Sequence, residues 1–126
     1  MHRDLSKYIG RSYNTYNCFD LVKEFYRDEY DIVLKDYFEG PVPSPDKIEC
    51  LVISNKGDFI EVPAPVYGDI VVIRLRGGYA SHVGICLGEG KFLHSLRDVG
   101  SVIDQLPRYA RMVEGFYRHR KEESRD

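Results

Sequence analysis

The chain has 126 residues, 43% of them hydrophobic, and a formal net charge of −2. This length and hydrophobic content suit one globular domain with a single core. The near balance of acidic and basic residues gives no electrostatic reason to expect binding to nucleic acid or to an anionic membrane surface.

The start of the chain and its cysteines bear on where the protein is made. The first residues are polar, which excludes the apolar region of a signal peptide, and no apolar run approaches the length of a membrane span. Three widely spaced cysteines do not form a disulfide scaffold and indicate reduced thiols. We therefore expect synthesis in the cytoplasm without a signal peptide and no membrane insertion. We expect one domain over residues 1–126, with residues 119–126 as a solvated tail.

The first half of the chain predicts helices. Apolar residues from Leu5 to Ile9 have helical spacing and predict a short first helix. A second helix is predicted from Cys18 to about Tyr30, because its apolar residues recur at i, i+3, i+4 and i+7 and Asn17 can cap it. A third is predicted from about Pro45 to Gly57.

The second half predicts strands. They are expected at Phe59–Val62, Asp69–Leu75, His82–Leu87, Lys91–Leu96 and about Met112–Arg118. Helices followed by a run of strands predict an α+β fold, in which N-terminal helices pack on a central antiparallel sheet.

The two central strands form a predicted hairpin that carries two histidines. Its three-residue loop ends in glycine, which favours a type I turn closed by a left-handed residue. This turn pairs Leu87 with Lys91 and places His94 opposite Gly84. His82 shares the face of Gly84, so it is a diagonal neighbour of His94 at about 7–8 Å between backbones. The register therefore predicts contact between two imidazoles.

Cys18 is the candidate nucleophile among the three thiols. At a helix N-terminus, backbone N–H groups and the helix dipole favour the thiolate, and an imidazole can serve as its base. Cys86 is about 13 Å along the strand from His82, and Cys50 lies in the third predicted helix. The alternative is an inert, buried helix cysteine. Zinc ligands must lie about 2.0–2.3 Å from one ion, so the same separation argues against a site built from His82, Cys86 and His94. We expect no metal or cofactor.

These residues resemble the NlpC-type papain-fold cysteine peptidases, which cleave the peptide stems of bacterial peptidoglycan. Three blocks carry the likeness, at residues 10–22, 68–72 and 81–94, and the last is the most specific. The resemblance implies a papain-like α+β fold. It implies cleavage of a γ-D-glutamyl to diamino-acid linkage, with a cross-bridge amide as the alternative.

The resemblance also implies roles for particular residues. Cys18 would be the nucleophile, His82 the general base and His94 the group that orients the base. Substrate or oxyanion contacts fall to Tyr13, Asn17 and Ser81. The reaction would proceed by thiolate attack on an amide, through an acyl-enzyme, to hydrolysis by water.

Within this superfamily the chain resembles the peptidase domains of tailed-phage tail-tip assembly proteins. That likeness rests on residues 25–27, 93–96 and 116–120. It implies a location in the virion, tail-tip proteins and peptidoglycan peptide stems as partners, and action at the bacterial cell wall. Two alternatives stay open: a structural tail protein that keeps the fold without the activity, and acyl transfer by the same three side chains.

Overall fold

The computed structural model describes residues 4–13, 18–34, 59–74, 80–96 and 99–120, without the side chains of Ala80 and Ser81. In these ranges helix α1 spans Cys18–Tyr30, and 3₁₀ helices span Ser6–Tyr8 and Leu106–Met112. The strands are β1 Phe59–Val62, β2 Ile70–Arg74, β3 Ala80–Gly88, β4 Lys91–Leu96, β5 Gly100–Gln105 and β6 Val113–His119. Within the described ranges, no helix is both long and apolar enough to cross a membrane.

The six strands form one antiparallel sheet in the order β1-β6-β2-β3-β4-β5. Alternate residues of a strand face opposite sides, so the sheet has two apolar faces. Helix α1 packs its apolar stripe against one of them, in a core that includes Val83, Ile85 and Leu93. The opposite face buries Cys86 and Phe92, and Leu106–Met112 packs over it. The predicted α+β fold, with a helix on an antiparallel sheet, is confirmed.

Several element bounds differ from the prediction. Helix α1, β1 and β4 have the predicted bounds, whereas the predicted first helix is a single 3₁₀ turn. The predicted third helix lies outside the described residues. Strand β5 was not predicted, because its polar residues have low strand propensity and it forms by pairing with β4. His119, expected to begin the solvated tail, is instead the last residue of β6, buried and paired with Phe59.

Gly68, just before β2, is in close contact with helix α1. Gly68 has φ +93°, a conformation that other residues rarely adopt. A Cβ at this position would lie 2.0 Å from the hydroxyl oxygen of Tyr30. The hydroxyl of Tyr26 donates a 2.6 Å hydrogen bond to the carbonyl of Gly68. This close approach fixes α1 against the sheet and accounts for the glycine in the second sequence block.

The β3–β4 hairpin has the predicted register but a different turn. Gly84 pairs with His94, as predicted, whereas Lys91 pairs with Gly88 across a bulge instead of with Leu87. Glu89 and Gly90 have φ values of +55° and +75°. Two successive left-handed residues are typical of a type I′ turn, so the predicted type I turn was wrong. The bulge compensates for the difference in turn, so the pairs from Cys86 to Gly84 keep the predicted register.

Candidate active site

Two buried imidazoles are in direct contact on the sheet. Nε2 of His82 on β3 lies 2.8 Å from Nδ1 of His94 on β4. Gly84, opposite His94, leaves the room for this contact: a Cβ there would be 2.9 Å from the carbonyl oxygen of Leu93 and 3.1 Å from the Cβ of His94. The contact predicted from the hairpin register is therefore present, and a glycine makes it possible.

A carboxylate extends this hydrogen-bonded pair. Nε2 of His94 lies 3.3 Å from Oδ2 of Asp104 on β5. Tyr109 donates its hydroxyl to the same oxygen at 3.0 Å, and the backbone N–H of Gln105 donates to Oδ1 at 2.8 Å. Val102 pairs with His94, which makes Asp104 a diagonal neighbour of His94, as His82 is on the other side. The imidazole of His94 thus bridges His82 and Asp104.

Sequence reasoning missed Asp104 and Tyr109. Asp104 is placed beside His94 by the pairing of β5 with β4, and β5 was not predicted. Tyr109 belongs to no sequence motif that indicates a role in the site. One signal was present: residues 100–105 follow directly after β4, and consecutive strands commonly pair. Pairing them as a hairpin would have placed Asp104 beside the histidines.

Burial keeps both imidazoles neutral. His82 is 3% exposed, and this burial lowers its pKa to about 3, with a further contribution from His94. Burial also lowers the pKa of His94, while its hydrogen bond to Asp104 and the carboxylate charge act in the opposite direction. Near neutral pH each ring therefore carries one proton.

Burial favours the protonated form of the Cys18 thiol. Cys18 is the first residue of α1 and is 1% exposed. Burial raises its pKa to about 11, although hydrogen bonds from the backbone N–H groups of Val83 and Phe19 act to lower it. The expected lowering of the thiol pKa at the helix N-terminus was wrong for this buried state, because desolvation of the thiolate outweighs the favourable backbone groups.

The thiol lies where β3 and β4 diverge. The N–H and C=O groups of Cys86 form hydrogen bonds with Asp69 and Gly68, on the β2 side of β3. The direction of these groups alternates along a strand, so the N–H and C=O groups of Val83, three residues away, point to the other side, towards β4. The β3–β4 pairs end at Gly84 and His94, although β4 continues to Leu96. The N–H of Val83 is therefore past the last pair, and it is close enough to the Cys18 thiol to act to lower its pKa.

This position brings the thiol beside the first histidine. The nitrogen of Val83 is covalently bonded to the carbonyl carbon of His82, so the sulfur of Cys18 lies against the backbone of His82. His94, in turn, forms the last β3–β4 pair. The thiol of Cys18 and the imidazole pair of His82 and His94 are therefore both near the end of the β3–β4 pairing.

Tyr13 belongs to a segment at the same end of the sheet. It is half-buried in a turn after Arg11, whose carbonyl accepts a 3.0 Å hydrogen bond from the N–H of Ser101. Ser101 pairs with Ser95, the residue after His94. The backbone leading to Tyr13 is thereby held near the histidines.

The other two predicted substrate residues are not fully described. Asn17 lies outside the described residues. Ser81 belongs to β3, next to His82, but its side chain is outside what the structure describes. The substrate and oxyanion roles of these residues, and of Tyr13, stay predictions.

The pKa of His82 predicts a pH-dependent stability. Its native value of about 3 is below the value of about 6.5 in an unfolded chain, so the unfolded state binds more protons between these limits. Stability should therefore fall as the pH decreases below about 6.5. At about 1.4 kcal/mol per pH unit, the loss down to pH 4 is roughly 3 kcal/mol. Urea denaturation of the native protein at pH 7 and pH 4 measures it.

His82→Gln is the control, because glutamine does not titrate. The variant should lose about 3 kcal/mol less than the native protein over the same pH interval, whatever its stability at pH 7. An equal loss in both proteins would contradict the prediction.

Comparisons with known proteins place the chain in a family. No curated protein matches it. The crystal structure of the NlpC/p60 domain of the peptidoglycan hydrolase SagA matches with a TM-score of 0.51 and 19% sequence identity, over 85% of this chain and 80% of that one. This likeness concerns the fold alone. Residues 6–121 match the NlpC/P60 family model. Nearly the whole chain takes part in that match, so the protein belongs to the NlpC/P60 family, whose members are cysteine peptidases.

Proposed function

We propose that this protein is a cysteine endopeptidase that hydrolyses amide bonds in the peptide stems of peptidoglycan. Cys18 is the nucleophile, His82 the general base and His94 the group that orients it. The observation that carries the proposal is the 2.8 Å bond between the two imidazoles, located where the thiol of Cys18 meets the backbone of β3. The substrate class is supported by family membership and by the similar domain of a peptidoglycan hydrolase.

The proposed reaction needs one proton acceptor and one electrophile. The thiol proton passes to His82 as the sulfur forms a bond to the scissile carbonyl carbon. The imidazolium then protonates the amide nitrogen, and the C–N bond breaks to leave a thioester on Cys18. Water attacks the thioester, with His82 again as the base, and returns the free thiol. The backbone N–H of Cys18 is the proposed oxyanion donor.

The buried state of the thiol sets a condition on this reaction. Cys18 has a raised pKa and His82 a lowered one, so the neutral pair is favoured over the ion pair. Burial is the first cause of both shifts. An opening that admits substrate together with water therefore lowers the thiol pKa and raises the imidazole pKa. We propose that access of substrate and water to the buried thiol activates the nucleophile, and that Cys18 is not a thiolate before substrate binds.

The proposal is tested on purified sacculi in water enriched in ¹⁸O. Hydrolysis should release peptides with a new amine and a new carboxyl group that contains ¹⁸O, and fragment masses identify the bond. We propose the γ-D-glutamyl to diamino-acid linkage. Acyl transfer would instead give amine adducts without ¹⁸O. Sacculi that release only glycan fragments, or nothing beyond a control without protein, would contradict peptidase activity.

A second candidate function is a structural protein that retains the fold without the activity. The observation that favours it is the burial of Cys18, which is 1% exposed. It predicts intact sacculi after incubation with folded protein, and a Cys18→Ala variant that behaves like the native chain in every assay. The ¹⁸O experiment separates this candidate from the peptidase.

We also propose, from sequence likeness alone, that the enzyme is carried at a phage tail tip to assist cell-wall penetration or tail assembly. Part of that likeness has a structural explanation, since Phe25 and Tyr26 are fully buried core residues of α1. A tail-tip location predicts that peptides of this chain occur in purified virions by mass spectrometry. Their absence from virions that contain the other tail proteins would contradict it.

A further inference from the structure

We propose that Asp104, supported by Tyr109, is a positioning residue that sets the tautomers of both histidines, so that Nδ1 of His82 is the nitrogen left without a proton. The inference deepens the proposed function and rests on it for its catalytic meaning. The arrangement of protons is, however, a property of the protein that is measurable without activity.

The carboxylate of Asp104 is ionised and accepts hydrogen bonds from three groups. Burial acts to raise the pKa of Asp104, but hydrogen bonds from the N–H of Gln105, the hydroxyl of Tyr109 and the ring of His94 bring it below its ordinary value. Asp104 is therefore ionised near neutral pH, and an ionised carboxylate only accepts hydrogen bonds. The nitrogen that faces it, Nε2 of His94, must carry a proton.

The imidazole of His94 is neutral. The pKa of His94 is lowered, so its ring carries one proton, and that proton is on Nε2. Nδ1 of His94 is then an acceptor. Across the 2.8 Å contact, Nε2 of His82 must donate. His82 is also neutral, which leaves its Nδ1 without a proton.

The direction of this hydrogen bond decides whether His82 can act as a base. The opposite direction, from Nδ1 of His94 to Nε2 of His82, fits the same heavy-atom distance. It would place the only proton of His82 on Nδ1, and neither nitrogen would then be open to the thiol proton. The two directions are distinguished by Asp104, the carboxylate that accepts a hydrogen bond from Nε2 of His94.

Ring packing holds the acceptor and His94 in place. The ring of His94 packs against Phe92 in a tilted arrangement, at 4.1 Å between centroids, and makes an edge contact with Tyr109 at 5.6 Å. Tyr109 also contacts Phe92 at 5.3 Å and donates to the carboxylate oxygen that faces His94. Tyr109 thus orients both the carboxylate and the imidazole.

The test is nitrogen NMR of the full chain labelled with ¹⁵N-histidine, which reports the proton on each ring nitrogen. The native protein at neutral pH should show Nε2–H on both His82 and His94. A native spectrum with Nδ1–H on His82 would overturn the inference, whether or not the protein is active. Correct tautomers in a protein that does not digest sacculi would contradict the proposed function and leave this inference standing.

Asp104→Asn supplies the second measurement, since an amide presents either an acceptor or a donor to His94. We expect a mixed or reversed tautomer at His82, a kcat on sacculus peptides lower by about 10- to 100-fold, and an unchanged KM. Tyr109→Phe should show the same shift to a smaller extent. The matched control is Asp28→Asn, because Asp28 on α1 also accepts from a tyrosine, Tyr8, at 3.5 Å, away from the site. Native tautomers together with native kcat in Asp104→Asn would overturn the inference.

Discussion

Replacing Cys18 with alanine is expected to reduce the rate of peptide release from sacculi by at least about a thousandfold. The sulfur is the atom that bonds to the substrate carbon in the proposed reaction, and the methyl group of alanine cannot form that bond. The variant keeps the imidazole pair, so it should bind substrate with little change. The measurement is the initial rate of amine release at saturating substrate, together with the urea midpoint to show that the variant is folded.

Cys86→Ala is the matched control for this loss. Cys86 is also buried, with a pKa raised to about 12 by burial, but it is four residues from His82, about 13 Å along β3. Its replacement removes a sulfur of the same size at a comparable depth and should leave the rate within a few-fold of native. Equal activity of native protein and Cys18→Ala would remove Cys18 from the reaction.

Replacing Asp69 with alanine is expected to cost about 3–5 kcal/mol of unfolding free energy, the largest effect on stability predicted for this protein. Asp69 is fully buried just before β2. Its carboxylate accepts two 2.9 Å hydrogen bonds from Arg118 on β6 and one of 2.8 Å from the N–H of Val66. The variant leaves the mostly buried guanidinium of Arg118 without the negative charge of Asp69. Urea denaturation with a constant m value measures the loss.

The chain offers a matched control on the same two strands. Arg74 on β2 and Glu114 on β6 form an ion pair near the surface. Because water screens exposed charges, Glu114→Ala should cost no more than about 1 kcal/mol. The double variant Asp69→Ala/Arg118→Leu should recover part of the loss, since it removes the second charge as well. A similar cost for both single variants would show that burial does not determine the strength of the Asp69 pair.

The second sequence block therefore has a structural explanation. Gly68 permits the close approach of Tyr26 and Tyr30 from α1, and Asp69 joins β2 to β6. The N–H of Cys86 also donates to the carbonyl of Asp69 at 2.8 Å, which connects the corner to β3. These contacts hold α1 and β3 in a fixed relation, and α1 and β3 carry Cys18 and His82.

Much of the fold and half of the site follow from local sequence patterns. The apolar period of residues 18–30 predicts α1 with Cys18 at its start, and α1 has those bounds. The short loop of the β3–β4 hairpin predicts the pairing of Gly84 with His94, which brings His82 into contact with His94. In both cases the interacting residues are close in sequence, so helix periodicity and hairpin pairing determine the geometry, and a bulge beside the turn compensates for the difference in turn type.

Other features depend on contacts between distant or weakly patterned segments. Asp104 reaches His94 only through β5, a strand in which Val102 and Ile103 are flanked by Gly, Ser, Asp and Gln, residues with little strand propensity. The raised pKa of Cys18 comes from its burial, which is the combined effect of many side chains, and it opposes the local effect of the helix N-terminus. The sequence by itself thus determined which side chains are available for the chemistry and the register of the two histidines. The tertiary structure decided which carboxylate completes the hydrogen-bonded chain and where the thiol proton resides, because register is a local property and desolvation is a collective one.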